Sequence, residues 1–250
     1  KAFLAAGYPV LIEKGTFITE TNTGLLSWMG HYQVLTGYDD NKQQFMAQDS
    51  YFTPDYPVAY DTFIGEWRAF NFIFVIIHPY DKEEEVMRLL GPLANENQAD
   101  QLAAQKALDE TQSLTGIDQF FAWFNRGTSL VRLTDYTGAA AAYDQAYLVY
   151  PTIPEAKRPW RMTWYQTGPY FAYYYAGRYN DVIGLVNTTF QDMQTHRSKP
   201  YLEESFVWRA RAYIALGQTD AAITDLRDAL YVHPNFTPAL DELTRLGVTP

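Results

Sequence analysis

The sequence of 250 residues contains no cysteine. This absence excludes a disulfide framework, a thiolate metal site and a cysteine nucleophile from these residues. Histidine is also scarce, with four residues in all, and none stands in an H-E-x-x-H or comparable ligand spacing. The sequence therefore predicts no metal site and no cofactor.

Positive charge is in short supply as well. There are 19 Lys and Arg residues against 29 Asp and Glu residues, so the net charge is 19 − 29 = −10. A chain of this charge repels a phosphate backbone, and nucleic acid is not an expected partner. The longest apolar stretch, AFNFIFVII at 69–77, is too short to span a bilayer. We therefore predict no transmembrane segment.

Aromatic residues are abundant: 20 Tyr, 15 Phe and 6 Trp give 41 large rings. Rings in this number indicate densely packed helices, ligand-lining surfaces, or both. The length suffices for a large buried core. The chain begins at Lys1, in KAFLAAGYPVLIE, which we interpret as the last turn of a helix in a chain entered midway.

The residue pattern changes from strand-like to helical near residue 80. Before it, runs rich in β-branched and aromatic residues alternate with turn residues, which predicts strands at 8–13, 31–38, 43–51 and 71–77. A short helix is expected at 60–67, with Asp61 as its N-cap. After HPYDKEEE the pattern becomes helical, and we interpret 80–116 as a helical connector ending at Gly116.

Residues 117–250 contain an internal repeat with copies at about 120–153, 163–196 and 203–236. Counted from the first residue of each copy, position eight is Gly127, Tyr170 and Ala210. The other matching positions, eleven, twenty, twenty-four and twenty-seven, carry the sets Leu130, Tyr173, Tyr213; Ala139, Val182, Ala222; Tyr143, Val186, Leu226; and Ala146, Thr189, Ala229. This pattern resembles the tetratricopeptide repeat, in which small residues at positions eight and twenty let two antiparallel helices touch. A capping helix is expected at 239–247.

The hairpin that starts at GHYQVLTGYDD places a histidine and an aspartate on neighbouring strands. A two- or four-residue symmetric loop would pair His31 with Ser50 and turn Asp49 to the opposite face. A three-residue loop with a bulge would pair His31 with Asp49 directly. In the second register the carboxylate orients the imidazole, whose other nitrogen is then free to take a proton from a nucleophile.

The order of these segments resembles the C-terminal half of the papain-like peptidases that process bacteriocin leaders. The segments are PVLIE, GHYQVLTGYDD, a strand ending at Asp49 in QDSYF, a YDTFIGEW helix and an apolar strand before His78. The resemblance implies that His31 is the general base and that Asp49 orients it. It also implies that the nucleophilic cysteine and the glutamine that helps bind the oxyanion lie in the preceding half of the domain.

The sequence thus predicts an α+β fold followed by an all-α region: half of a papain-like antiparallel sheet domain joined to a tetratricopeptide solenoid. The expected domains are 1–79 for the peptidase half, 80–116 for the connector and 117–250 for the repeats. The parent is expected to be a secreted or surface-associated bacterial cysteine peptidase. This fragment alone is expected to be inactive, because its partner, the N-terminal half, carries the nucleophile.

A second hypothesis is a non-catalytic module in which the repeats bind a peptide or protein and the peptidase fold serves as a platform. Its candidate ligand-binding residues are Trp164, Phe171, Tyr174 and Tyr175, at positions that face the groove in tetratricopeptide proteins. An aromatic stripe at helical spacing is also typical of a core. The sequence alone leaves both hypotheses open.

Overall fold

The computed structural model describes residues 1–21 and 24–249. Pro250, the last residue of the predicted repeat domain, lies outside them. The described chain forms a five-stranded antiparallel sheet followed by a series of helices. The predicted fold class, α+β followed by all-α, is therefore confirmed.

The sheet has the strand order β4-β3-β2-β1-β5, with β1 at Val10–Thr19, β2 at Leu26–Asp39, β3 at Gln44–Gln48, β4 at Tyr56–Ala59 and β5 at Phe74–Ile76. Strands β1 and β2 are longer than the sequence predicts, because they pair continuously from Val10 with Leu35 to Thr19 with Leu26. Strand β4 was not predicted at all. It carries Pro57, a residue that strands accept mainly at the edge of a sheet, where β4 lies.

Alternate residues of the sheet build the core of this region. The first helix after β4, α2 at Tyr60–Arg68, contributes Phe63 to a cluster of buried apolar side chains on one face of the sheet: Val10, Ile12, Leu35, Phe45, Ala47 and Val58. The prediction that Asp61 caps α2 is wrong. The N-cap is Ala59, which makes no side-chain cap hydrogen bond, and Asp61 lies within the first turn.

The remaining helices before the repeats are α1 at Ala2–Ala5, α3 at Glu83–Leu90 and α4 at Glu96–Ser113. The side chain of Asn95 caps α4 by accepting from the Gln98 N–H at 2.9 Å. Gly116 does not follow the end of α4 as predicted. It has a positive φ of 61° and is the first residue of α5, Gly116–Arg132.

The first repeat consists of α5 and α6, Tyr136–Val149. Gly127 lies against the ring of Tyr143, and a Cβ atom at Gly127 would lie 2.7 Å from that ring. Tyr143 is fully buried, and its hydroxyl is 3.1 Å from Thr128 Oγ1. The small residue at position eight therefore admits a large ring at position twenty-four.

The second and third repeats follow as α7 at Met162–Tyr165, α8 at Gly168–Tyr175, α9 at Tyr179–Thr195, α10 at Glu203–Ala215 and α11 at Thr219–Val232, with α12 at Thr237–Arg245 after them. The first helix of the second repeat is broken between α7 and α8, where Pro169 lacks the N–H that a continuous helix needs. In the third repeat, Ala210 and Ala222 are fully buried beside Leu243 of α12. The predicted capping helix is therefore present.

Two compact units divide the chain. The first comprises Lys1–Leu133 and Ala142–Pro159, and the second comprises Thr134–Ala141 and Trp160–Pro250. Compactness alone does not define where an independently folding domain begins, so the boundaries at 79/80 and 116/117 stay predictions.

Candidate functional site

His31 lies in the middle of β2, on the face of the sheet that carries the core. Strand geometry places His31, Gln33 and Leu35 on one face, since successive side chains alternate, and Leu35 belongs to the buried cluster beneath α2. The imidazole is 13 % exposed. The candidate base therefore lies at the edge of the core, with a small part of its side chain exposed to solvent.

The pairing of β2 with β3 differs from both registers that the sequence suggested. Asp39 pairs with Gln44, and a bulge between Leu35 and Gly37 shifts the ladder, so that Val34 pairs with Gln48. Continued by one residue, this register sets Asp49 opposite Gln33. Neither Ser50 nor Asp49 is the direct partner of His31, and both predicted pairings are wrong. The side chain of Asp39 closes the turn by accepting from two backbone N–H groups within it.

Asp49 nevertheless reaches His31, as a diagonal neighbour on the same face. The Asp49 Oδ2 atom is 2.8 Å from His31 Nε2, and it also accepts from Gln33 Nε2 at 2.7 Å. The other oxygen, Oδ1, accepts from the backbone N–H groups of Tyr51 at 2.8 Å and Phe52 at 3.0 Å. The carboxylate is thus held on both oxygens.

The electrostatics of Asp49 favour its ionised form. Its side chain has no exposed surface, and burial by itself raises the pKa of a carboxyl group. The backbone N–H groups of Phe52 and Tyr51, together with the His31 side chain, outweigh burial and place the pKa of Asp49 below its ordinary value. The carboxylate can therefore stabilise a positive charge on the neighbouring imidazole.

The other ring nitrogen of His31, Nδ1, has no hydrogen-bond partner in the part of the chain that the structure describes. The ring is nearly perpendicular to that of Tyr51, with ring centroids 6.5 Å apart. With Nε2–H donated to Asp49, Nδ1 carries a lone pair and can accept a proton. The geometry is that of a general base held by an orienting carboxylate.

Two further polar groups of this face were not predicted. Gln33 is 1 % exposed and binds Asp49. Lys14, the Cα partner of His31 on β1, is 2 % exposed and pairs with Glu66 of α2 at 2.7 Å. In the sequence, only their spacing pointed to this face. Gln33 follows His31 by two residues and Lys14 follows Ile12 by two, and alternate residues of a strand share a face.

The four aromatic residues proposed for ligand binding fall into two groups. Phe171 and Tyr174, both on α8, contact Trp208 of α10 at ring-centroid distances of 4.2 and 5.6 Å. Tyr175 is 54 % exposed and stacks on Tyr136 at 4.8 Å.

Trp164 belongs to a different cluster. It lies on α7, edge-on to Trp160 with ring centroids 5.0 Å apart, and the guanidinium of Arg161 lies 5.4 Å from its ring. Its indole Nε1 is buried and has no hydrogen-bond partner among the described residues. A surface formed by α8 therefore includes Phe171, Tyr174 and Tyr175, whereas no ring contact among the described residues joins Trp164 to it.

Within residues 1–21 and 24–249, no group of three or more His, Asp or Glu side chains is arranged to hold a metal ion. Across the same residues, every helix is too short or too polar to qualify as a membrane span.

Comparison with known proteins finds one family match in each of the two regions. Residues 1–75 match the Peptidase_C39 like family, and residues 203–236 match the tetratricopeptide repeat. A peptidase-like region followed by tetratricopeptide repeats, as predicted, is therefore confirmed. One solved structure that aligns is the first tetratricopeptide domain of Spaghetti (RPAP3) bound to the HSP90 peptide SRMEEVD. It has 16 % identity and a TM-score of 0.41, and the alignment covers 53 % of this chain and 94 % of that one. No curated protein matches the chain.

Proposed function

We propose that His31 and Asp49 are the general base and its orienter in a papain-like cysteine peptidase whose nucleophile lies outside these 250 residues. One observation carries the proposal. His31 Nε2 is 2.8 Å from a carboxylate that is fully buried, and Nδ1 has no partner within the described residues. This is the arrangement that activates a thiol by taking its proton.

In the proposed reaction, His31 transfers the proton at each step. Nδ1 of His31 accepts the proton of the cysteine thiol, and the ionised Asp49 stabilises the resulting imidazolium through Nε2–H. The thiolate attacks the carbonyl carbon of the scissile amide, and the imidazolium then donates its proton to the leaving amine. His31 next deprotonates a water molecule, which hydrolyses the thioester. The chain described here supplies only the base and its orienter, so it is inactive alone.

The test is the alkylation rate of the full-length protein that contains this chain, measured with iodoacetamide and located by mass spectrometry. The 250 residues contain no cysteine, so every label reports a residue outside them. A thiol paired with His31 is ionised at about pH 6, whereas an ordinary thiol has a pKa of about 8.5. We expect one cysteine to react at similar rates at about pH 6 and about pH 9.

The variant His31→Ala separates this proposal from a merely accessible thiol. It should lower the rate at about pH 6 by roughly two orders of magnitude, because only a small fraction of an ordinary thiol is ionised there. The rate at about pH 9 should stay within a few fold of wild type, since the thiol ionises without help. If the wild type and His31→Ala have the same profile, or if no cysteine reacts, His31 is not the base of a cysteine peptidase.

A second candidate function, binding of a peptide or protein segment by the repeats, is favoured by the exposure of Tyr175. This ring stacks on Tyr136 and lies 6.3 Å from the ring of Trp208, yet 54 % of the residue is exposed. Rigid aromatic side chains that are packed on one side and open on the other are typical contacts for a bound segment.

Peptides selected from a random phage library against the full-length protein test this second function. Tyr175→Ala should weaken the binding of the selected peptides at least tenfold, as expected when a buried aromatic contact is truncated. The matched control is Tyr231→Ala, because Tyr231 is 87 % exposed on α11 of the third repeat. Equal binding by both variants would remove the α8 surface from consideration.

A further inference from the structure

Gln33 is a polar side chain at a position built for an apolar one. Its Cα partner on β1 is Ile12, which is 1 % exposed, as is Gln33 itself. The next residue along the same face of β2, Leu35, is part of the core. A buried amide in such surroundings is unfavourable unless both of its polar atoms are hydrogen-bonded.

Only half of the amide is satisfied. Gln33 Nε2 donates to Asp49 Oδ2 at 2.7 Å, but Gln33 Oε1 is buried and has no partner among the described residues. An apolar side chain of the same length would avoid that loss. Packing against the apolar neighbours therefore does not account for an amide at this position.

The bond to Asp49 gives the amide a role. The carboxylate receives four donors: two backbone N–H groups on Oδ1, and His31 Nε2 and Gln33 Nε2 on Oδ2. A carboxylate offers about four acceptor sites, so the set is complete. Without Gln33, the backbone N–H groups still hold Oδ1, but Oδ2 is restrained by the imidazole alone.

We propose that Gln33 is a positioning residue, which fixes Asp49 Oδ2 beside His31 Nε2. The amide does so although its own buried oxygen, Oε1, has no partner among the described residues. The restraint of Asp49 follows from the geometry alone. Its effect on catalysis rests on the proposed function. Loss of the restraint lets the carboxylate move away from the line of the Nε2–H bond. The imidazolium is then less stable, and a thiol paired with it is less ionised at acidic pH.

The variant Gln33→Met tests this inference, because methionine has a similar length and removes both the donor and the unpartnered oxygen. We expect the variant to melt close to the wild-type temperature, because removal of the unpartnered oxygen offsets the lost hydrogen bond to Asp49. The ratio of the alkylation rates at about pH 6 and about pH 9 should fall about tenfold, the scale of effect that a small misplacement of a catalytic group produces. A general loss of structure would also lower this ratio, because an unpaired thiol has an ordinary pKa, so the lower ratio supports the inference only with the melting temperature preserved.

Two controls accompany this variant. Gln44→Met removes a glutamine at the far end of β3 whose amide, within the described part of the chain, hydrogen-bonds Met46 alone. It should leave the ratio unchanged. Gln33→Asn keeps an amide but is one methylene shorter, so the amide does not reach Asp49. It should lower the ratio as Gln33→Met does, and it keeps the test valid where the methionine variant disturbs the fold. An unchanged or higher ratio in both Gln33 variants, with His31→Ala still defective, overturns the role of Gln33 but leaves the proposed function standing.

A measurement that needs no cysteine completes the test. In the full-length protein, the His31 Nε2–H proton should exchange slowly with water and be visible by ¹⁵N-resolved NMR, because Asp49 holds it. In Gln33→Met this exchange should accelerate at least tenfold, in keeping with a loosened buried hydrogen bond. An exchange rate equal to that of the wild type contradicts the proposal whatever the outcome of the alkylation experiment.

Discussion

At the scale of single residues, Asp49 links the candidate site to the stability of the sheet. Burial raises the pKa of a carboxyl group, yet the backbone N–H groups of Phe52 and Tyr51 and the His31 side chain hold the pKa of Asp49 below its ordinary value. A depressed carboxyl pKa stabilises the folded state above the unfolded value of about 3.9, and this stability is lost as the pH falls through the lower folded value.

Asp49→Asn should therefore destabilise the protein mainly at neutral pH. We expect the free energy of unfolding in urea to fall by about 2 kcal/mol at about pH 7, because charge-assisted hydrogen bonds are lost. The difference from wild type should shrink at about pH 3, where the unfolded carboxyl group is protonated. Asp241→Asn, at an exposed position on α12, is the control and should leave the pH dependence unaltered. The same pH dependence in wild type and Asp49→Asn would contradict the account of this carboxylate.

The order of the strands was enough to predict that His31 and Asp49 lie together, but not how they do so. The ladder depends on a bulge beside Thr36 and on a turn that begins at Asp39, and neither follows from alternation of apolar residues. Gln33 was missed for a similar reason, since a polar residue in a strand is expected to face water.

At the scale of secondary-structure elements, the first repeat depends on close contact between α5 and α6. Gly127→Ala would gain helix propensity, but the new methyl group would lie 2.7 Å from the buried ring of Tyr143. We expect a net destabilisation of about 1–3 kcal/mol from overpacking. The control is Gly184→Ala in the middle of α9, where nothing lies within 4 Å of the added Cβ. It should stabilise the protein by about 0.5–1 kcal/mol, and thermal unfolding of both variants measures the contrast.

Arg68 joins α2 to the helices that follow it. Its residue is 7 % exposed, and its guanidinium lies 2.9 Å from Asp118 of α5 and 3.4 Å from Glu110 of α4. Arg68→Ala removes a buried guanidinium from Asp118, whose side chain is 42 % exposed, and from Glu110, which keeps its pair with Lys106. The loss of these charge-assisted hydrogen bonds should cost about 1.5–3 kcal/mol. Arg132→Ala breaks a pair with Asp100 whose arginine side chain is 53 % exposed, and it should cost at most about 1 kcal/mol. Equal losses in urea unfolding would show that this buried network does not hold the helices to α2.

Elements with strong local signals were predictable and those fixed by distant contacts were not. The glutamates at the start of α3 and the small residues of the repeats act within one or two turns of helix, so the sequence displays them. Strand β4 was missed because Pro57 breaks the local pattern, although the edge of the sheet tolerates it. The break between α7 and α8 follows from Gly168 and Pro169, which the alignment of the repeats passed over.

At the scale of the whole molecule, the chain combines a sheet that carries the proposed base His31 and its proposed orienter Asp49 with helical repeats that carry the exposed ring of Tyr175. The repeats were visible in the sequence because each contacts its neighbours along the chain. The arrangement of His31, Asp49 and Gln33 needed the complete sheet. The proposed function reconciles the absence of cysteine with the contact between His31 and the buried Asp49 carboxylate, because it places the nucleophile elsewhere in the protein.

The most direct test of this explanation is the distance from His31 Nδ1 to the nearest cysteine Sγ in an experimental structure of the full-length protein. The account predicts a sulfur atom within hydrogen-bond reach of Nδ1, at about 3–4 Å, with Asp49 still bound to Nε2. A structure in which another side chain hydrogen-bonds His31 Nδ1, or in which no cysteine lies within reach of it, would contradict the account.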